Sequence, residues 1–279
     1  MKTFDFVDST LRDGEQTAGV VFSPEEQMEI ARLLDRVGIR WIEAGVPAMG
    51  SAEREFLSEL HRAGLSAQLI SWNRMRREDV DFALSCGFRY IHLSIPLSDI
   101  HIQYKFQKDR AWVLNQIEDV VGYAASFGVS VFLGGEDAAR ADREFFLRAA
   151  ETAEKAGASR IRYADTIGCM DPFRVRGEME YLSARCPLPI EFHGHNDFGL
   201  AAANTLAAYK GGAAFVSVTS TGIGERAGNA CLEEIVTAME CLYHYDCELH
   251  PEHLPALRQA VSKAANRENN GKHFCTKMN

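Results

Sequence analysis

The stretch Val37-Gly38-Ile39-Arg40-Trp41-Ile42-Glu43 decides how the fold is read. An amphipathic segment ends at a glycine, and a short apolar run begins at once. Glycine suits the left-handed position that closes a helix, and so brief a passage from helix to strand belongs to a parallel βαβ unit. The same unit returns at Cys86-Gly87-Phe88-Arg89-Tyr90-Ile91-His92 and at Phe127-Gly128-Val129-Ser130-Val131-Phe132. It returns again at Ala156-Gly157-Ala158-Ser159-Arg160-Ile161 and at Gly211-Gly212-Ala213-Ala214-Phe215-Val216.

Outward from these units, eight candidate strands start near Thr3, Trp41, Ala67, Tyr90, Ser130, Arg160, Ile190 and Phe215. Amphipathic helices are expected over 24–37, 51–63, 76–86, 110–127, 142–156, 172–185, 199–210 and 229–243. The first has an explicit start signal: Ser23 as cap, Pro24 in the first position and Glu26 completing a capping box. Eight such units without a break in composition predict an α/β fold, a (β/α)8 TIM barrel. An open doubly wound sheet would need a topological switch and, as a rule, a glycine-rich phosphate loop after strand one; neither is evident. Residues 1–250 are expected to form the catalytic barrel, and 251–279 one further helix (251–266) and a frayed tail, with no second domain.

A chain of 279 residues, 46% hydrophobic, can bury the core of one such barrel. The net charge of −9 and the absence of a Lys/Arg-rich run argue against nucleic acid as a partner. Seven cysteines without a Cys-x-x-Cys pair suit a reduced compartment rather than a disulfide framework. The first residues read as a strand, not a signal peptide, and no apolar run is long enough to span a membrane. A soluble cytoplasmic protein is expected.

The chemistry centres on His193-Gly194-His195, after the apolar run Ile190-Glu191-Phe192. Residues i and i+2 of a strand share a face, so the two imidazoles converge where a divalent metal can bind. In isolation the pair is more often merely solvated or satisfied in a core. In a barrel, however, the active site lies at the C-terminal strand ends, and strand one ends in Asp8-Ser9-Thr10-Leu11-Arg12-Asp13-Gly14-Glu15-Gln16. Asp13 can supply the carboxylate that a two-histidine site lacks, and Arg12 can face a substrate oxyanion. Strand eight leads into Gly224-Glu225-Arg226-Ala227-Gly228-Asn229, where Asn229 can offer an amide oxygen. Alone, that segment reads as a glycine-rich loop opening a helix.

Together, Thr10–Gln16, His193–Asp197 and Gly224–Asn229 resemble the metal-dependent Claisen-condensing and lyase family. That family includes the isopropylmalate, citramalate and homocitrate synthases and hydroxymethylglutaryl-CoA lyase. The resemblance covers nearly the whole chain and implies a (β/α)8 barrel. It implies Asp13, His193 and His195 as metal ligands, with Asn229 a weaker or water-mediated one. It implies Arg12 as the catalytic group at the developing alkoxide, Gln16 as the residue that positions that arginine and the substrate, and Glu136 as an acid or base near the acetyl group. Thr166 is implied as the hydroxyl that binds the oxo-acid carboxylate, and His101 as a substrate-side residue in a long loop. Segments 44–50, 71–75 and 134–142 are most similar to nitrogen-fixation-type homocitrate synthase.

The implied reaction condenses acetyl-CoA with a 2-oxo acid, 2-oxoglutarate being favoured, with Mn, Mg, Zn or Fe(II) as cofactor. The lysine-pathway branch of the family carries an arginine about where Phe132 stands; Arg74 and Arg162 are the candidates to replace it toward a distal carboxylate. The condensing synthases continue past the barrel into accessory subdomains. The expected assembly is therefore a homodimer or a complex with a separate accessory subunit. A barrel-only lyase or aldolase, and a non-catalytic subunit that binds metal and oxo acid, are the alternatives; the lyases' catalytic cysteine has no clear counterpart here.

Overall fold

The computed structural model describes residues 4–266. Eight strands, β1 (Asp5–Asp8), β2 (Trp41–Gly45), β3 (Gln68–Arg74), β4 (Tyr90–Pro96), β5 (Ser130–Glu136), β6 (Ala158–Asp165), β7 (Ile190–Gly194) and β8 (Phe215–Val218), pair in parallel, each with the next. β8 closes back on β1, with Asp5 opposite Phe215 and Asp8 opposite Val218. That closure rules out the open sheet and establishes the (β/α)8 barrel. The first strand is described from Asp5, and the expected tail beyond Asn269 lies outside the described residues.

The helices α1 (Pro24–Val37), α2 (Ser51–His61), α3 (Arg77–Ser85), α4 (Asp99–Phe106), α5 (Arg110–Ala125), α6 (Arg143–Ala156), α7 (Pro172–Ser183), α8 (Ala201–Gly211), α9 (Leu232–Tyr243) and α10 (Leu254–Ala264) surround the strands. The capping box at α1 is formed: Ser23 Oγ accepts from Glu26 N–H, and the Glu26 carboxylate accepts from Ser23 N–H at 2.8 Å. α1 closes at Gly38 with φ 92°, and α6 at Gly157 with φ 107°; a β-carbon is strained in both conformations. α10 lies against α1 and buries Leu257 and Val261 in the same apolar core, so the chain after residue 250 continues the barrel's outer layer.

Two local departures from the expected elements shape the mouth. The long connection after β4 contains a helix of its own, α4, capped by Ser98 Oγ, which accepts from His101 N–H at 3.2 Å. The last barrel helix starts at Leu232, not at Asn229, because Asn229 pairs in extended conformation with His195. Asn196 N–H donates to the Gly228 carbonyl at 2.9 Å in the same contact. Tertiary pairing between the β7 and β8 loops thereby overrides the local start of a helix.

The barrel interior is layered. Val7, Ile70 and Phe132 plug the base with Trp41, Tyr90 and Phe215 around them. The Arg160 guanidinium caps this plug, 4.0 Å from the Phe132 ring centre and 3.8 Å from that of Phe215. Above it the inward positions turn polar, and the cavity opens at the C-terminal strand ends.

Candidate active site

Asp13 is presented by a tight turn after β1. The Ser9 carbonyl accepts from the N–H groups of Arg12, Asp13 and Gly14, at 3.1, 2.9 and 3.0 Å, which coils the segment back over the barrel. β7 brings His193 and His195 to the same point. Asp13 Oδ2 lies 3.5 Å from His193 Nε2 and 3.9 Å from His195 Nε2, and the two Nε2 atoms are 3.2 Å apart. All three side chains are buried, and their ligand atoms fall within 4.8 Å of one another. The described residues thus hold a possible metal site of one carboxylate and two imidazoles.

Asn229 completes the cluster. Its amide N–H donates to Asp13 Oδ1 at 3.0 Å and to the Ile223 carbonyl at 3.1 Å, while its own Oδ1 is buried without a partner. A buried amide oxygen without a partner is costly, and a cation beside Asp13 would satisfy it. The facing Nε2 atoms favour the same occupant, since both cannot hold a proton at 3.2 Å. The donor set therefore fits a divalent ion. Gly224 makes the packing possible: a β-carbon there would lie 2.0 Å from Asn229 Nδ2 and 2.9 Å from Asp13 Oδ1.

Electrostatics set the protonation of these groups. Burial works to raise the Asp13 carboxyl, but the charges of Arg12, His193 and His195 and the Asn229 hydrogen bond outweigh it and hold Asp13 well below the usual carboxylate range. Burial first, and then the neighbouring His195, push His193 well below the ordinary imidazole value, so it stays neutral and keeps a lone pair.

Arg12 leads down into a buried chain of alternating charges. Its Nη1 donates to Asp13 at 3.0 Å and to Gln16 Oε1 at 3.4 Å, and its Nε donates to Glu43 at 2.5 Å. Glu43 also accepts from Arg162 at 2.5 Å, Arg162 donates to Glu191 at 2.7 Å, and Glu191 pairs with Arg160 at 3.3 Å. Glu43, Glu191 and Arg160, together with the buried His92, were not singled out from sequence. A signal was present: Glu43, Arg160, Arg162 and Glu191 are charged residues inside otherwise apolar strands, on the alternation that faces the interior.

The cavity above this chain, about 360 Å³, is lined by Arg12, Asp13, Gln16, Glu136, Thr166, His193 and His195 among others. Thr166 Oγ1 accepts the Asp137 N–H at 2.9 Å, which leaves its own O–H free to donate to a ligand. Glu136 accepts from Lys105 at 2.8 Å and from His101 Nδ1 at 3.1 Å. His101 sits just behind Glu136 and does not line the cavity. Its Nε2 accepts from Arg140 at 3.2 Å, which assigns the proton to Nδ1.

Arg74 is not brought to the cavity. Its guanidinium turns back to the start of α3, where it forms a two-pronged pair with Asp79 at 2.7 and 2.8 Å. Arg162 does line the cavity but is already held by two buried carboxylates. Phe132 belongs to the basal plug.

Fold and site define the class: a (β/α)8-barrel enzyme with a carboxylate-imidazole centre at the C-terminal mouth. The model of the HMGL-like family matches residues 3–261. A 2-isopropylmalate synthase of Caldanaerobacter subterraneus is 44% identical over 261 residues, covering 94% of this chain and 68% of the relative. Homocitrate synthase 1 of a Nostoc species is 43% identical over 92% of this chain and 68% of its own length. The homocitrate synthase subunit alpha of Clostridium pasteurianum is 41% identical over 85% of this chain and 88% of its own length. In fold, the chain is similar to a solved hydroxymethylglutaryl-CoA lyase of Bacillus subtilis, with a TM-score of 0.84 at 21% identity, covering 98% of this chain and 97% of that one.

The chain belongs to the HMGL-like family, and with its synthase relatives it is an acyl-transferring enzyme. Among the described residues no helix is long and apolar enough to cross a membrane.

Proposed function

We propose that this protein condenses the acetyl group of acetyl-CoA with a 2-oxo acid, 2-oxoglutarate foremost, as a homocitrate synthase-like enzyme of the cytoplasm. The observation that carries this reading is the convergence of Asp13, His193 and His195 beside Arg12 at one cavity, in a chain 43% identical to a homocitrate synthase. A divalent metal held by Asp13, His193, His195 and Asn229 would supply a Lewis acid and a template for the oxo acid. The Thr166 hydroxyl donates to the oxo-acid carboxylate. Glu136 takes a proton from the acetyl methyl group. Arg12, fixed in place by Glu43, faces the oxygen that becomes an alkoxide. Gln16 holds the other edge of Arg12.

Cys231 supports the synthase over the lyase. Its thiol lies 2.9 Å from the Glu233 carboxylate, and burial and Glu233 push it above the usual thiol range, so it stays protonated and inert. The mouth also supports a covering partner, either a second copy or an accessory subunit. Of the ten exposed large apolar side chains among the described residues, seven lie on connections that leave the C-terminal strand ends, Met49, Tyr104 and Phe198 among them, and an eighth, Phe173, lies in the first turn of α7.

The test is CoA release from acetyl-CoA with a panel of 2-oxo acids, with and without Mn, measured alone and with any polypeptide that matches the relatives' remaining length. Turnover with 2-oxoglutarate that a chelator abolishes is expected. Release of pyruvate from a 4-hydroxy-2-oxo acid, without CoA release, would replace the synthase by an aldolase.

A further inference from the structure

We propose that Lys105 is a catalytic residue: its ammonium group stabilises the oxygen of the thioester enolate formed when Glu136 removes a methyl proton. The inference rests on the acyl-transfer reading above and adds a residue and a role to it.

Removing a proton next to a thioester places negative charge on the carbonyl oxygen. A base alone is not enough; a donor must meet that oxygen as the charge develops. Four cationic side chains line the cavity: Arg12, Lys105, Arg162 and Arg226. Arg12 and Arg162 share Glu43 at the floor, and each holds a second carboxylate, Asp13 and Glu191 respectively. Arg226 clamps two loops, with Asp197 at 2.8 Å and the Thr166 carbonyl at 2.6 Å. Lys105 differs. Among the described residues its one hydrogen-bond partner is Glu136, and an ammonium group has three N–H donors, so two are left for a ligand.

Lys105 is also placed beside the proposed base. His101 and Lys105 lie four residues apart on one face of α4 and both reach Glu136 Oε1, while Oε2 carries no hydrogen bond to a described residue. The first turn of α4 is fixed through Ser98, which binds Asp137 at the end of β5. A carboxylate and an ammonium group side by side match a thioester, whose methyl carbon and carbonyl oxygen are two bonds apart. The side chain of Lys105 is about half exposed and lines the cavity, within reach of an entering thioester.

In the step, the methyl C–H bond breaks and its proton goes to Glu136, which becomes a carboxylic acid. The C–H electron pair forms the C=C bond, and the carbonyl π pair moves to the oxygen facing Lys105, which keeps its protons. The enolate oxygen then returns that pair to re-form the carbonyl, the C=C π pair becomes the new bond to the ketone carbon, and the ketone π pair goes to the oxygen facing Arg12.

The test uses the metal-loaded enzyme, the 2-oxo acid it turns over best, and acetyl-CoA with a protiated or trideuterated methyl group. Lys105→Met should lower kcat about 10²- to 10³-fold, as loss of an oxyanion donor does. The KM for the oxo acid and the melting temperature should be unchanged. The deuterium effect on kcat should exceed that of the unaltered enzyme, because proton removal becomes limiting, and Lys105→Arg should recover part of the rate. A Lys105→Met enzyme that keeps its kcat overturns the proposal. So does one that loses kcat with neither a larger isotope effect nor rescue by arginine, since Lys105 would then only tether α4. No CoA release by the unaltered enzyme with any 2-oxo acid overturns the acyl-transfer reading itself, and this role with it.

Discussion

Replacing Glu43 with Gln tests whether the buried charge chain holds the barrel together as well as Arg12 in place. The Glu43 carboxylate is fully buried and takes Arg12 Nε and Arg162 Nη2, each at 2.5 Å. Glutamine has nearly the same shape but removes the charge, and it turns an N–H2 group toward one guanidinium, donor against donor. Breaking a buried ion pair costs about 3–5 kcal/mol. Arg12 keeps Asp13 at 3.0 Å and Arg162 keeps Glu191 at 2.7 Å, which places this case near the lower end. At about 2–4 °C per kcal/mol for a domain of this size, a loss of about 3 kcal/mol is about 6–12 °C in Tm.

The pH dependence has a fixed sign. Burial works to raise the Glu43 carboxyl, but Arg12 and Arg162 outweigh it and hold it well below its ordinary value in the folded state. Its contribution is therefore complete above the unfolded carboxylate value, about 4.3, and is lost as pH falls below that toward the folded value. Thermal unfolding of both proteins from pH 7 to pH 3 should show the gap narrowing toward acid. A Glu43→Gln protein that melts within about 2 °C of the parent at pH 7, or a gap that widens in acid, would refute the reasoning.

Gly134→Ala should disturb His92, because the new β-carbon would lie 2.2 Å from Nε2; overpacking of this kind costs about 1–3 kcal/mol, and an unchanged Tm would show that the ring moves freely. Asp8→Asn should stabilise the protein at neutral pH. Burial raises the Asp8 carboxyl from 3.8 to about 7, so the folded state holds a proton that the unfolded state releases, and stability falls between those two values. The Asp8→Asn protein should lack that fall in its Tm-versus-pH curve; an identical slope would count against it. His195→Ala should weaken Mn binding by titration calorimetry about 10- to 100-fold or more, with the far-UV spectrum retained; unchanged affinity would remove His195 from the ligand set.

Much of the molecule was legible in the sequence, for identifiable reasons. The Gly38, Gly87 and Gly157 stops repeat a local conformational requirement, and such requirements are written into neighbouring residues. The His193/His195 pair was legible because strand alternation fixes their common face. Arg74 ends a strand, which points it toward the mouth, but Asp79, five residues on, offers its guanidinium a local carboxylate that the strand pattern does not show. The start of α9 was misplaced because the His195–Asn229 pairing joins loops far apart in the chain. α4 is hard to see in the sequence, although Ser98 and Asp99 mark its start, since the segment has little apolar periodicity.

The sequence by itself determined the order and spacing of eight strand–helix units, because helix stops and strand alternation are short-range properties, and from them it predicted the barrel that the β8–β1 pairing closes. Only the tertiary structure decided which charged side chains meet. Glu43 of β2 meets Arg162 of β6 across the interior of the closed barrel, 119 positions apart in the chain, and Arg162 meets Glu191 on the neighbouring strand β7. The same closure turns Asp13, His193, His195 and Asn229 from separate motifs into one buried cluster. The pairing of β4 with β5 sets Lys105 of α4 against Glu136 of β5, a contact that neither segment announces alone.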